Sequence, residues 1–425
     1  MRRLQIAMAL LVFAALPLIV SGTFEKPMSR VAGATCIECH TQVSAGIVSD
    51  WQLSKHAGVG VGCEVCHGNQ HSSASDVTNA AIPTPETCSL CHAKRVEQFK
   101  SGKHAVAWAA MKAMPTTHWL PMALSEGMKG CGGCHKIGLK TAEETKALKE
   151  SGAGFGLASC DACHTRHLFS VKEARQPQAC QTCHMGFDHP QWEMYSSSKH
   201  GVRYLLKQNG TLPADAAAPT CQTCHMQDGN HEVRTAWGFL AVRLPLPEDE
   251  GWAADRVTIL QALGVLDPSG QPTGRLDVVK AADVARLTQE DWEREREKMI
   301  QVCGGCHSRN FARGELEKGD QMIRETDRLL AEAIRTVAAL YADGILENPE
   351  YYAYGFPDLL TFHDAPTSIE QKLFVMHLEH RMRAFQGVFH ANPDYALWYG
   401  WSAMKRDLQE IKEKAEEMRR HHAMH

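Results

Sequence analysis

Cys180-Gln-Thr-Cys183-His184-Met-Gly-Phe-Asp188-His189-Pro-Gln-Trp-Glu-Met-Tyr195 is the stretch on which the reading of this chain turns. Its first five residues form a Cys-x-x-Cys-His motif, and the motif recurs in both directions. Upstream stand Cys36/Cys39/His40, Cys63/Cys66/His67, Cys88/Cys91/His92, Cys131/Cys134/His135 and Cys160/Cys163/His164; downstream stand Cys221/Cys224/His225 and Cys303/Cys306/His307. These eight copies use all 16 cysteines, so none is left for a disulfide. Cys-x-x-Cys-His is the attachment signature of a c-type haem. Two thiols bond the porphyrin and the adjacent histidine ligates the iron from one side. A single copy would be compatible with a redox dithiol or half a zinc site. Eight copies with no cysteine over read as eight covalently bound haem c groups, numbered here in chain order.

The intervals between first cysteines are 27, 25, 43, 29, 20, 41 and 82 residues. That is too dense for each haem to own a globular domain, so the haems are expected to pack together and supply much of the core. Aromatic content of only 7% fits this. The expected fold is mainly α: a multihaem cytochrome c with closely packed haems and a C-terminal region of long helices. Residues 23–240 read as the haem-rich region holding haems 1 to 7. Residues 241–425 read as a helical region carrying haem 8, with helical spacing over 285–300, 315–342, 369–390 and 402–420. Hydrophobic content of 44% excludes wholesale disorder, and a net charge of −4 gives no nucleic-acid footprint. Residues 1–22 have a basic start (Arg2, Arg3), an apolar run from Ile6 to Val20 and small residues at Ser21-Gly22, the pattern of a secretory signal peptide. The expected location is the periplasm.

A haem with histidine on both faces carries electrons; one with an open face binds substrate. Second ligands are therefore sought among the histidines outside the motifs. A Lys-His cassette follows three of them: Lys55-His56, Lys103-His104 and Lys199-His200. A tighter arrangement gives His71, His167 and His231. These six are the expected distal ligands, each free to serve a haem other than its neighbour. His118, in Thr117-His118-Trp119, is taken as the seventh, with His380 and His390 as alternatives. No histidine follows His135 until His164, itself proximal. The eighth motif also lacks a close follower, but His363, His377, His380 and His390 can return to it from the C-terminal helices. Haem 4 is thus the better candidate for an open face.

The chain resembles the octahaem hydroxylamine oxidoreductase family. The resemblance rests on the eight motifs, the quoted run to Tyr195, Ser198-Lys199-His200-Gly201, Thr235-Ala-Trp-Gly-Phe239 and Asn392-Pro-Asp-Tyr-Ala-Leu-Trp-Tyr-Gly400. It implies that haem 4, with His135 proximal, is the catalytic haem, that Asp188 and His189 form the distal acid/base pair, and that the chain assembles as a homotrimer. Chemistry agrees, since a carboxylate beside a histidine raises its pKa and N–O bond reduction consumes protons. Oxidising members crosslink a tyrosine from a neighbouring subunit to this haem, near the segment matched by Asn392 to Trp401. Tyr395 and Tyr399 remain there, but Leu397 stands where a crosslinking tyrosine is expected. The reductive direction follows: nitrite, and hydroxylamine with it, reduced to ammonia as in an ammonia-forming nitrite reductase. Nitrite would bind through nitrogen, with Lys136, Arg166 and Arg203 within sequence reach to attract an anion. A membrane quinol-oxidising cytochrome or another electron-transfer partner is the expected donor. The rivals are hydroxylamine or hydrazine oxidation on the same scaffold, and a non-catalytic electron-transfer cytochrome.

Overall fold

The computed structural model describes residues 36–111, 131–150, 159–238, 240–241, 246–281, 288–349, 357–360 and 365–424, apart from the side chains of Cys131 and residues 279–281. The 1–22 segment, His118, Phe239 and His363 lie outside the described residues.

A Cys-x-x-Cys-His motif needs little more than one helical turn. At 3.6 residues per turn, cysteines three apart share a face and the histidine follows one position on. Cys63–His67, Cys131–His135 and Cys221–His225 are such helices, each beginning at the first cysteine and ending at the histidine. Helix Cys36–Val43 opens with its motif, Pro85–Lys100 carries Cys88 to His92 inside it, and Gln289–Cys303 ends on the first cysteine of the eighth. Thr220 caps the seventh motif, its Oγ1 accepting from the Thr223 N–H at 3.3 Å. Through this half the described buried apolar residues are scattered, among them Val96, Phe99, Trp108 and Met194.

A continuous apolar core begins at Ala236. Its axis is the 34-residue helix Arg309–Ala342, about 50 Å long at 1.5 Å per residue. Ser308 caps it, accepting from the Phe311 N–H at 3.2 Å. Ile323, Leu330, Ile334, Val337 and Tyr341 recur three and four apart along one buried face. Glu250–Ala262, Met382–Phe389 and Ser402–Ala423 pack against this helix. Within the core Asp327 is fully buried, ion-paired to Arg256 (2.9 Å) and Arg381 (2.6 Å). The spare guanidinium donors reach the carbonyls of Ala241 (2.8 Å) and Leu240 (2.9 Å). All three chain segments that meet at Asp327 are thereby fixed.

The architecture is mainly α, as expected, and among the described residues the sole β feature is an isolated bridge between Leu266 and Pro272. Three corrections concern the helices. Glu250–Ala262 and Gly274–Ala281 are not foreseen from sequence, because the first is buried on several sides and shows no clean apolar stripe. The helix over 315–342 starts earlier, at Arg309. The stretch 369–390 is not one α-helix: Ser368–Val375 passes into a π-helical segment, Met376–Arg381, before Met382–Phe389. A second π-helical segment, Asp394–Trp401, leads into Ser402–Ala423. It lies so close to Met382–Phe389 that a Cβ on Gly400 would stand 2.4 Å from the Ala384 Cα. No described helix is long and apolar enough to cross a membrane.

Candidate haem ligands and active site

The six expected distal histidines each face a motif histidine, but rarely that of the nearest motif. The pairs are His40–His71, His92–His56, His67–His167, His184–His104, His164–His231 and His307–His200, with ring centroids 6.0 to 6.1 Å apart. A metal–imidazole bond is about 2 Å, and a ring centroid sits roughly 1.1 Å behind its nitrogen, so two imidazoles across one iron stand ~6.2 Å apart. The pairs therefore fit a hexacoordinate haem iron between them. Burial holds several rings in the neutral form that binds metal, pushing His184 down to about 3 and His225 down to about 4.

Local structure explains the Lys-His cassettes. Ser54 caps helix Lys55–Gly58 and Ser198 caps Lys199–Gln208, each Oγ accepting an N–H three residues on, at 3.2 and 3.3 Å. The histidine then sits in the first turn, where its ring leaves the helix end. Lys103-His104 opens a 3₁₀ turn after Gly102. Behind His200, Gly201 lies against the preceding helix, and a Cβ there would meet the Tyr195 carbonyl oxygen at 1.9 Å.

The seventh pair differs from the first expectation. His225 lies within electrostatic reach of His390, itself buried, with the His390 Nδ1–H donating to the Gln386 carbonyl at 2.8 Å. His380 instead pairs through Nδ1 with Asp407. His377 is buried in the core. His118 lies outside the described residues.

Motifs also approach one another through sulfur. Cys134 is within hydrogen-bonding reach of Cys183, Cys88 of Cys160, and Cys180 of Cys221. Weaker charge contacts join Cys36 to Cys63, Cys66 to Cys88, Cys163 to Cys180 and Cys224 to Cys303. The attachment sites run 1–2–3–5–6–7–8, with the fourth joined to the sixth.

Cys39, Cys91 and Cys306, the second thiols of motifs 1, 3 and 8, correct one part of the packing expectation, because they do not lie inside the array. Cys91 and Cys306 are exposed and Cys39 is half-buried. The reason is helical. Residues three apart stand about 60° apart around the axis, so a motif whose first thiol faces its neighbour turns the second aside. Cys88 faces Cys160 while Cys91 points to solvent. Cys306 is one turn past Cys303, its N–H bonded to the Cys303 carbonyl at 3.0 Å, and it meets Cys224 through charge. Haems 3 and 8 therefore have an attachment edge at the protein surface, whereas the thiols of motifs 5, 6 and 7 are all at least half-buried.

Asp188 and His189 stand at the fourth–sixth junction. Asp188 Oδ1 accepts from His189 Nδ1, and the pair is 18% and 26% exposed. Burial disfavours the charged ring, but the Asp188 hydrogen bond and charge outweigh it and raise the His189 pKa above its ordinary value. A further hydrogen bond joins this ring to the Cys183 backbone. His135 feels the charges of both residues, and burial pulls its own pKa down. Its Nδ1–H donates to the Ala107 carbonyl at 2.9 Å. Leu139 N–H bonds the Ala105 carbonyl at 2.8 Å and Lys140 lies over the Trp108 ring at 5.0 Å. One segment thus holds both His135 and His104. Of the cations named from sequence, Lys136 acts on Cys134 and Cys183 beside the pair. Arg166 is bound to Asp161 (2.6 Å) and Arg203 to the Ala217 carbonyl (2.9 Å), so neither is aimed at the pair. Tyr395 and Tyr399 stack at 5.3 Å, and Leu397, Trp398 and Tyr399 are exposed. Sequence reasoning missed the acceptors behind the rings: Asp76, Ala107 and the Gln191–Gln386 pair (3.0 Å). Of these, Asp76 alone left a signal, as the acidic residue three after the Ser73 cap.

The family described as seven times multi-haem cytochrome CxxCH matches residues 32–243 and 275–350. The chain belongs to the multihaem cytochrome c family. Covalently attached c-type haem is therefore the cofactor of this cytochrome. Among curated proteins it is 26% identical, over 91% of its length, to a probable nitrite reductase-hydroxylamine oxidoreductase fusion protein of Kuenenia stuttgartiensis; it spans about half that relative, 51%. Among solved structures, a chain of the Kuenenia stuttgartiensis reducing HAO-like protein complex superposes with a TM-score of 0.67 at 24% identity, over 92% of this cytochrome and 85% of that chain. A hypothetical multiheme protein follows at 0.60 and 21%, over 91% and 96%. These likenesses show the fold.

Proposed function

We propose that this cytochrome reduces nitrite, and hydroxylamine with it, to ammonia at haem 4, with seven bis-histidine haems relaying electrons. The observation that carries this reading is the Asp188–His189 pair beside His135, with the charge of Asp188 raising the histidine's pKa. Eight haems are assigned to the eight motifs. Their ligands are the six histidine pairs above, His225 with His390, and His135 as the proximal ligand of haem 4. When bound, haem iron supplies an open, one-electron redox site for the substrate nitrogen.

The protein's own residues do the rest. His189 holds a proton and presents it for N–O cleavage, and Asp188 keeps the ring charged and oriented. Lys136 adds positive charge that favours an anionic substrate. The Ala107 carbonyl fixes the His135 tautomer, leaving Nε2 for the metal. The contact of Cys134 with Cys183 supports electron delivery to haem 4 from haem 6. Nitrite reduction to ammonium takes six electrons, which an array of one-electron centres stores without releasing intermediates.

Leu397 within the exposed Leu397-Trp398-Tyr399 surface favours reduction over oxidation, because the resemblance expects a crosslinking tyrosine there. The same surface suits the homotrimer interface. A periplasmic location and a membrane quinol-oxidising cytochrome or similar partner complete the reading. Nitrite supplied with reduced viologen, with ammonium quantified, tests it. The expected result is one ammonium per six electrons. No ammonium alongside fast hydroxylamine oxidation would reverse the direction of the reaction.

A further inference from the structure

Imidazole ligands differ in what their Nδ1–H donates to, and the difference tunes the metal they hold. Around this array the acceptors are mostly neutral. His40 meets Ser44 Oγ (2.7 Å), His67 the Ala81 carbonyl (3.0 Å), His135 that of Ala107 (2.9 Å), and His231 that of Gly229 (2.8 Å). His184 meets the Gln191 amide oxygen at 3.4 Å. At one extreme, His225 Nδ1 is buried with no hydrogen-bond partner. At the other, His71 Nδ1 stands 2.8 Å from Oδ1 of Asp76, a full carboxylate.

That carboxylate is held by the loop. The Ser72 N–H reaches both oxygens (3.1 and 3.2 Å), the Ser72 hydroxyl donates to Oδ2 (2.9 Å) and the Ser73 N–H to Oδ1 (2.8 Å). Ser73 and Asp76 form the capping box of the turn Ala74–Asn79, so local backbone geometry fixes the acceptor before any ligand arrives. A carboxylate that draws the Nδ1 proton gives the ring imidazolate character, makes it a more basic ligand and stabilises oxidised iron. The sulfur contacts put haem 1 at one end of the array.

We infer that Asp76 is a positioning residue that makes haem 1 the low-potential terminus of the array, while the orphaned Nδ1 of His225 leaves haem 7 high. The inference rests on reading His40 and His71 as the two ligands of haem 1. Electrons placed on haem 1 by a low-potential one-electron donor then run downhill towards haems 6 and 7.

The test is a potentiometric titration of the holoprotein followed by visible and EPR spectra. In Asp76→Asn the lowest low-spin midpoint rises by at least a tenfold change in its reduced-to-oxidised ratio, about 59 mV for one electron, with its spin state unchanged. Ser72→Ala, which strips a donor from the carboxylate and leaves it more basic, moves the same midpoint down. Opposite signs separate tuning from loop damage, which would move both variants the same way and overturn the inference. An unmoved lowest midpoint in Asp76→Asn overturns it as well. His71→Ala checks the ligand reading separately: one low-spin haem becomes high-spin, and failure to do so sinks that reading instead.

Discussion

Asp188→Asn preserves the shape of the His189 partner and removes its charge. The carboxylate accepts from the ring Nδ1, and both side chains are mostly shielded, at 18% and 26% exposure. A hydrogen bond to a charged group in such a setting contributes about 1.5–3 kcal/mol. At about 1.4 kcal/mol per factor of ten, the protonated ring loses roughly ten- to a hundredfold in population on the alkaline side. The sign follows from the raised pKa of His189. A proton donor with a raised pKa is loaded below that pKa and emptied as pH rises through it, so the wild-type rate is high at acid and neutral pH and falls on the alkaline side. In Asp188→Asn burial alone acts on the ring, and the fall moves to lower pH. The assay is kcat and KM for nitrite with reduced viologen across about pH 5.5 to 9, a window spanning the ordinary histidine range. The expected result is near-normal kcat at the acid end, a growing deficit towards alkaline pH, and little change in KM. A profile superimposable on the wild type, or a deficit equal at every pH, refutes the proton-donor role. His189→Ala removes the donor outright, and kcat drops about 10²–10⁴-fold.

Three further outcomes follow from the geometry. His390→Ala opens one coordination position, so one haem changes from low to high spin, whereas His380→Ala, which breaks only the pairing with Asp407, leaves all spin states alone; visible and EPR spectra decide. Asp327→Ala strands two buried guanidinium groups and costs about 3–5 kcal/mol, read as a large loss of thermal stability, while Glu315→Ala, cutting an exposed pair with Lys318, shifts nothing measurable. Ser198→Ala removes a buried helix cap and costs about 1–2 kcal/mol, with the His200–His307 pair loosening first; denaturant titration of the holoprotein checks it.

Much of the site is legible in the sequence because its grammar is local. One helical turn suffices to place two thiols and an imidazole, so each motif can be read alone. The Lys-His cassettes are legible for a related reason: a serine cap fixes where His56 and His200 leave their helices. Which haem each distal histidine faces is not legible. His56 crosses to His92 and His67 to His167 because neighbouring turns interleave, and sequence distance carries no trace of that. The same holds for which thiols face inward: Cys88 and Cys91 are equivalent in the motif, yet one meets Cys160 and the other meets solvent. His390 is one of several alternatives in sequence, since its approach to His225 depends on the helix Met382–Phe389 arriving against the haem-bearing half. The π-helical segments leave no sequence signal, because an extra residue per turn gives an apolar pattern much like that of an α-helix. Asp76 does not stand out because carboxylates that cap turns are common, and nothing in sequence says that this one also faces a ring.

The most direct measurement is a count of haem spin states in the purified holoprotein, with and without nitrite. Seven low-spin haems and one high-spin haem, the latter alone responding to nitrite and losing that response when His135 is replaced, is the expected result. Eight low-spin haems untouched by nitrite would make the protein an electron carrier and contradict a substrate site at haem 4.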